Sequence, residues 1–418
     1  MTVRQLYANA FEATLENGLR ILVEEVPQSR SVSAGVWIRA GSREDPEGQS
    51  GLAHFIEHLA FKGSPTRDAQ AISHEMDAIG GHLNAATSKE STFYYADLPS
   101  DGLATALSIL ADLALHPRFD PADIDLERNV ILEEIRGHED DPEQTAYDLF
   151  SQGVWEGKHP FARSVVGNRQ AIESVGPADV HAFHSARYRP DNMVVAVCGG
   201  VDATQVIRIA EDLFSSKETA DAISVPTRTP PVFQAGISHH DRPTGMFHVY
   251  IGTDAPTAAH DDRVPLEVAN SILGDGTSSR LFHTIRETRG LAYAISSYVN
   301  SFSDAGIWLT YAGIAPENAE TVIGLIRTEF ERMLSEPIPS DELALAKAKL
   351  RGHLILGLES NGHRSSRLAN AVLQRRDIRS PDDLLVRLDA VTCDSALEAL
   401  RTYLHPDRLN ITTVGPSS

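Results

Sequence analysis

The 418-residue chain runs through one order of strand-like and helix-like segments twice, and this duplication limits its fold more than any single motif does. In the first half, Leu19 to Val23 and Val32 to Ile38 carry strand patterns, the latter alternating with a period of two. Helices are predicted around residues 52–61, over Asp68 to Ile79 and over Asp101 to His116, with strands over His82 to Thr87 and Ser91 to Leu98 between the last two. A long helix from Pro121 to Glu139, further helices from Pro142 to Phe150 and Pro177 to Ser185, and a strand from Met193 to Cys198 complete this half. The second half repeats the order, from a strand at Phe247 to Gly252 to a closing strand at Arg408 to Val414, with offsets of about 210 to 220 residues. A chain this long exceeds one ordinary core. The expected division is residues 1–216, a linker at 217–235 that is polar and then proline-rich, and residues 236–418.

Only the first copy carries evident chemistry. Residues 54–58 read His54-Phe55-Ile56-Glu57-His58, which places two imidazoles four apart on one helix face with a carboxylate at its edge. Two neutral imidazoles are good zinc ligands, and a nearby Glu outside the ligand set can take a proton from a metal-activated water. The order H-x-x-E-H is a recognised zinc-peptidase signature. A merely amphipathic helix is the competing reading. However, Leu52, Ala53, Phe55, Ile56, Leu59, Ala60 and Phe61 make this helix apolar nearly all round, so its polar groups need partners. The equivalent stretch of the second half, Leu266-Glu267-Val268-Ala269-Asn270, has no ligand pair.

A catalytic zinc takes three protein ligands and leaves a position open. The acidic helix that follows contains Glu127, Glu133, Glu134 and Glu139. Glu127 and Glu134, seven apart, share a face with Val130 and Ile131, so an inward pair is expected. One would bind the metal and the other would hold a ligand histidine.

With these residues assembled, the chain resembles the M16 metallopeptidases, and most of all the short two-domain bacterial members of the processing-peptidase branch. The likeness runs from Leu15-Glu16-Asn17-Gly18-Leu19 through Gly41-Ser42-Arg43, the histidine helix and Phe61-Lys62-Gly63 into the second half. The resemblance implies an α+β fold of two homologous domains, each a mainly antiparallel sheet covered by helices on one side. Its spacing implies Glu134 as the third zinc ligand, with Glu133 as the fallback, and Glu127 as the acid behind a ligand histidine. Glu57 would be the general base. Gly80 to Thr87 resembles the edge strand to which such enzymes add a peptide, where Asn84 and Ala85 would meet the substrate backbone. Arg286 to Tyr293 resembles the family's Arg/Tyr element: Tyr293 would stabilise the oxyanion and Arg286 would grip the neighbouring backbone. The resemblance further implies a zinc endopeptidase acting on peptides and unfolded segments inside a chamber closed by two chains, a homodimer or a heterodimer. In this branch the Arg/Tyr element and the zinc site can lie on different chains.

Composition narrows the rest. A formal net charge of −21 without a local basic cluster argues against nucleic-acid and anionic-membrane partners. No apolar run is long enough to cross a bilayer. Two cysteines provide neither a disulfide framework nor a thiolate zinc site, and a cytoplasmic location is expected. The rival functions are a non-catalytic or partner-dependent subunit of a processing-peptidase-like heterodimer and a peptide-binding module that does not cleave.

Overall fold

Seven strands build the first sheet: β1 (Thr2–Tyr7), β2 (Ala10–Thr14), β3 (Arg20–Glu25), β4 (Ser31–Ile38), β5 (His82–Thr87), β6 (Thr92–Pro99) and β7 (Met193–Gly199). Their order is β1-β2-β3-β7-β4-β6-β5, antiparallel except for the β3–β7 pair. The second sheet has β8 (Gly236–Asp241), β9 (Phe247–Asp254), β10 (Ala292–Ser301), β11 (Gly306–Ile314) and β12 (Asn410–Gly415) in the order β10-β11-β9-β12-β8. That order reproduces β5-β6-β4-β7-β3 of the first sheet, including its single parallel pair, so the duplication extends to strand topology. The computed structural model describes residues 1–156, 159–215 and 228–417.

In chain order, the helices are α1 (Leu52–Ala60), α2 (Ala69–Ala78), α3 (Leu103–Leu115), α4 (Pro121–Asp140), α5 (Pro142–Val154), α6 (Arg169–Ser174), α7 (Pro177–Arg187) and α8 (Ala203–Phe214). After β8 come α9 (Arg263–Leu273), α10 (Ala319–Ser335), α11 (Ser340–Gly357), α12 (Asn361–Leu373), α13 (Pro381–Asp389) and α14 (Cys393–Tyr403). Among the described residues no helix is long and apolar enough to cross a membrane.

The chain forms two compact units, and they differ from the consecutive segments expected above. One unit is Met1–Arg136, Arg163–Arg228 and Leu356–Ser380; the other is Gly137–Ala162, Thr229–Ile355 and Pro381–Ser418. Helix α12, late in the sequence, therefore belongs with the first sheet, and α5, early in the sequence, with the second. Residues 217–227 of the expected linker lie outside the described residues.

The expectation of helices on one side only is corrected by the same two helices. Alternate side chains of β3, β4 and β7 face opposite ways. Ile21, Val23, Val36, Val195 and Val197 join the core that contains α1, α3 and α8. Leu22, Trp37, Val194, Ala196 and Cys198 pack instead on Leu368, Ala369 and Leu373 of α12. Central strands that are apolar on both faces need cover on both faces. Polar ties fix α12 in place: buried Glu24 accepts hydrogen bonds from Arg364, from Arg367 (2.8 Å) and from the Tyr7 hydroxyl (2.9 Å). In the second unit α5 plays the corresponding part, packing Phe150 against Tyr250, Ile307 and Leu309.

Candidate metal centre

Helix α1 is set in place at its first turn. Gly51 precedes it with φ of +96°, and a Cβ at this position would lie 2.8 Å from the Val166 carbonyl oxygen, so only glycine fits. The buried Asp45 carboxylate accepts from the N–H groups of Gly51 (2.7 Å) and Ala53 (2.8 Å), satisfying donors that a helix start leaves unpaired. Burial pushes the Asp45 carboxyl up to about 7 against the pull of those two N–H groups. As the apolar sequence implies, Leu52, Ala53, Phe55, Ile56, Leu59 and Ala60 are buried, which leaves His54 and His58 on the remaining, half-buried face.

The two rings stand edge to face with centroids 4.7 Å apart. Glu134 Oε2 lies 3.7 Å from His54 Nε2 and 3.6 Å from His58 Nε2, and one ligand atom from each of the three residues falls within 4.8 Å of the others. These separations are too long for hydrogen bonds. They match the edge of about 3.4 Å between neighbouring corners of a tetrahedral site with bonds near 2.1 Å. His54 Nδ1 is buried without a hydrogen-bond partner among the described residues, and Nε2 faces the Glu134 carboxylate at 3.7 Å. Burial, helped by the neighbouring His58, lowers the His54 pKa to about 4 and keeps the ring neutral, with the lone pair of one nitrogen free. Two neutral imidazoles and a carboxylate oxygen are a donor set that suits zinc.

Helix α4 supplies the acids, though not as a wholly inward pair. Ile124, Glu127, Ile131 and Ile135 are buried, whereas Val130 and Glu134 are each about two-fifths exposed on the flank. Glu134 thus reaches the histidines from the edge of the buried face. Glu133 points elsewhere: both its oxygens accept from Arg136 (2.7 and 2.8 Å). Glu127 Oε1 sits 2.9 Å from His58 Nδ1, and its other oxygen pairs with Lys62. Burial alone would raise the Glu127 pKa, but Lys62 and His58 outweigh it and hold the carboxyl below its ordinary value. An ionised carboxylate only accepts, so His58 donates through Nδ1 and directs the Nε2 lone pair towards Glu134 and His54.

Glu57, on the same helix, is 8% exposed and accepts a 2.6 Å hydrogen bond from the Thr87 hydroxyl. Burial raises its pKa, opposed by Thr87 and His58 and reinforced by Glu134.

Residues 20–167 match the family described as insulinase (peptidase family M16), and residues 174–350 match the family described as the peptidase M16 inactive domain. An uncharacterized zinc protease of Mycobacterium leprae is 37% identical over 416 residues, covering 98% of this chain and 92% of that protein. The chain belongs to peptidase family M16. A second relative, the uncharacterized zinc protease YmxG of Bacillus subtilis, is 32% identical and covers 97% of this chain and 98% of its own length. The crystal structure of a protease from Helicobacter pylori superposes with a TM-score of 0.91 at 25% identity, covering 97% of this chain and 99% of that one. The duplicated α+β architecture is therefore that of short bacterial M16 proteins.

The other residues singled out in this M16 chain fall in two places. Among the described residues, strand β5 is the edge of its sheet and pairs with β6 alone. Asn84 is exposed, and its side-chain oxygen accepts the Ala85 N–H (2.8 Å), covering an edge donor. Arg286 and Tyr293 lie in the second unit. Residues Phe282–Glu287 form a π-helix, and exposed Arg286 lies over the Phe282 ring (4.9 Å). Tyr293 is the unpaired residue of a β-bulge, since Ala292 pairs with Ile314 and Ala294 with Gly313, and it is 76% exposed. In the second copy Asn270 stands where the first has His58. Its Oδ1 accepts from Ser297 Oγ (2.6 Å) and Trp308 Nε1 (2.7 Å), so this position is structural.

Sequence reasoning gave no role to Asp45, Lys62 or Thr87. Lys62 follows His58 by one helical turn and Thr87 follows Ala85 by one strand repeat, so both periodicities placed them near the site. Asp45 left no such signal.

Proposed function

We propose that this M16 chain is a zinc-dependent endopeptidase acting on peptides and unfolded polypeptide segments. The observation that carries this reading is the convergence of His54, His58 and Glu134 on one point, with the buried carboxylate of Glu57 on the same helix. His54, His58 and Glu134 would hold zinc, which would supply Lewis acidity and lower the pKa of a water towards neutrality. Glu57 takes the proton of that water and returns it to the departing amine nitrogen, a task suited to a carboxyl whose pKa burial has raised. Lys62 and Glu127 hold His58 in the required tautomer. An extended peptide adds to the free edge of β5 at Asn84 and Ala85, making main-chain hydrogen bonds that favour unfolded substrates. Tyr293 donates to the oxyanion and Arg286 binds the neighbouring peptide backbone, from this chain or from a second one. Two such chains, or this chain and a related one, enclose the site in a chamber. The two unpaired cysteines suit a reducing cytoplasm.

The test is a set of extended peptides incubated with the zinc-loaded protein and with Glu57→Gln. Hydrolysis by the former alone, with equal zinc content in both, supports the mechanism. Wild-type turnover by Glu57→Gln overturns it, and equal rates on folded and unfolded substrates that share cleavage sites overturn the chamber.

A further inference from the structure

Thr87 is the last residue of β5, and its hydroxyl is committed to a single acceptor. Oγ1 donates to Glu57 Oε2 at 2.6 Å. The other neighbouring hydroxyl, Thr92 Oγ1 at 3.3 Å, donates its own proton to the Ala40 carbonyl (2.9 Å), which leaves the Thr87 proton for the carboxylate. Glu57 Oε1 receives no hydrogen bond among the described residues. One oxygen of the buried carboxylate is therefore fixed, and the other remains able to take a proton.

The main chain at Thr87 is itself held. In the turn that joins β5 to β6, Ser88 N–H bonds Ser91 O (2.8 Å), Ser42 N–H bonds Ser88 O (3.0 Å) and Arg43 N–H bonds Lys89 O (3.0 Å). A Cβ on Gly41 would lie 2.3 Å from Ser88 O, so the turn rests directly on the Gly41 backbone. Arg228 adds bonds to both the side chain (2.8 Å) and the carbonyl (2.9 Å) of Glu90. The Thr87 hydroxyl thus connects the free edge strand, through a braced turn, to the carboxylate of Glu57 on α1.

We propose that Thr87 is the positioning residue for Glu57 and that it ties the geometry of this carboxylate to β5, the strand that receives substrate. The inference rests on Glu57 acting as the base. The hydroxyl fixes the carboxylate rotamer and occupies Oε2, so that Oε1 takes and returns the proton. A base displaced by about an ångström loses on the order of a hundredfold in rate.

Thr87→Val preserves shape and removes the donor, whereas Thr87→Ser preserves the donor. The expected result is a tenfold to hundredfold loss of kcat in Thr87→Val with KM, zinc stoichiometry and unfolding midpoint unchanged, and recovery of most of the loss in Thr87→Ser. A readout without turnover is the crystal structure of the zinc-free proteins: the Glu57 carboxylate should keep its rotamer in Thr87→Ser and leave it in Thr87→Val. An unchanged Glu57 rotamer together with wild-type kcat in Thr87→Val overturns the inference. So does loss of zinc or of folding in Thr87→Val, which would make the hydroxyl structural. If Glu57→Gln is inactive while Thr87→Val is fully active, only the Thr87 inference fails; if both turn over normally, the reading of Glu57 as base fails with it.

Discussion

His58 and Glu127 are joined by a 2.9 Å contact between Nδ1 and Oε1, and this contact decides which nitrogen of the ring is left for a metal. Because Lys62 pairs with the second oxygen, Glu127 stays ionised and can only accept. Removing this support should weaken zinc binding without abolishing it. Glu127→Gln is expected to lower zinc affinity by about ten- to a hundredfold, and Lys62→Met by a smaller factor in the same direction. Competition with a chromophoric chelator measures both. Wild-type affinity in Glu127→Gln would show that the tautomer is fixed by other means.

The ligands themselves should behave differently from their neighbours. His54→Ala, His58→Ala and Glu134→Gln should each abolish stoichiometric zinc, about one ion per chain in the wild type. Glu133→Gln should leave zinc content unchanged, because Glu133 is exposed and engaged with Arg136. Metal analysis of purified proteins is sufficient, and zinc loss in Glu133→Gln alone would reverse the assignment on α4.

The candidate metal centre was legible because its residues sit on two helices with simple periodicity. Four residues separate His54 from His58; the helix period alone left Glu127 and Glu134 both open on α4, and the choice of Glu134 as candidate ligand came from the spacing that the resemblance to the M16 family implies. The residues that steady it were harder to read, since Asp45 and Thr87 act across the fold on partners 6 to 30 positions away. Strand boundaries followed the apolar alternation closely, but β1, β2 and β8 went unpredicted. Their exposed or mixed patterns, such as Gly236 to Asp241, become strands through pairing of β1 with β2, β2 with β3 and β8 with β12. The placement of α5 and α12 was invisible for a similar reason. Nothing local to Asn361–Leu373 says which sheet it covers, although the doubly apolar β3 and β7 did call for a cover.

If Tyr293 donates to the oxyanion, Tyr293→Phe should lower kcat by on the order of a hundredfold with zinc content and KM nearly unchanged. Arg286→Ala should raise KM as well, because it grips backbone before the reaction. Steady-state kinetics with one extended peptide separates the two. A Tyr293→Phe protein at full rate would reduce that exposed bulge residue to a surface feature.

His248 gives a pH dependence independent of the metal. It is 3% exposed, with Nδ1 3.0 Å from the Tyr311 hydroxyl. Burial lowers its pKa, and the nearby Glu143 and Asp141 offset this only in part. The unfolded chain, with a histidine pKa of about 6.5, then binds more protons than the folded one. Stability from this group is present above about pH 6.5 and is lost as pH falls below it. The unfolding midpoint of zinc-free protein should drop between about pH 7 and pH 5. The drop should be shallower in His248→Gln, which keeps a side-chain polar group without titrating. Identical slopes in the two proteins would remove His248 from the account.

The position of α12 predicts the fate of a shortened chain. A protein ending after Ser215 retains every candidate zinc ligand but lacks Leu368, Ala369 and Leu373, which cover Leu22, Trp37, Val194, Ala196 and Cys198. It also lacks Arg364 and Arg367, the two cations that pair with Glu24 on the same sheet face. An exposed apolar sheet face is destabilising and favours aggregation. The shortened protein is therefore expected to be poorly soluble and to lose the unfolding transition of its sheet, and its zinc binding with it. In the full-length chain Leu368→Ala, which trims the same contact, should cost about 2–5 kcal/mol by denaturant titration. A soluble, cooperatively folded fragment of residues 1–215 that binds zinc normally would show that the first sheet does not depend on α12.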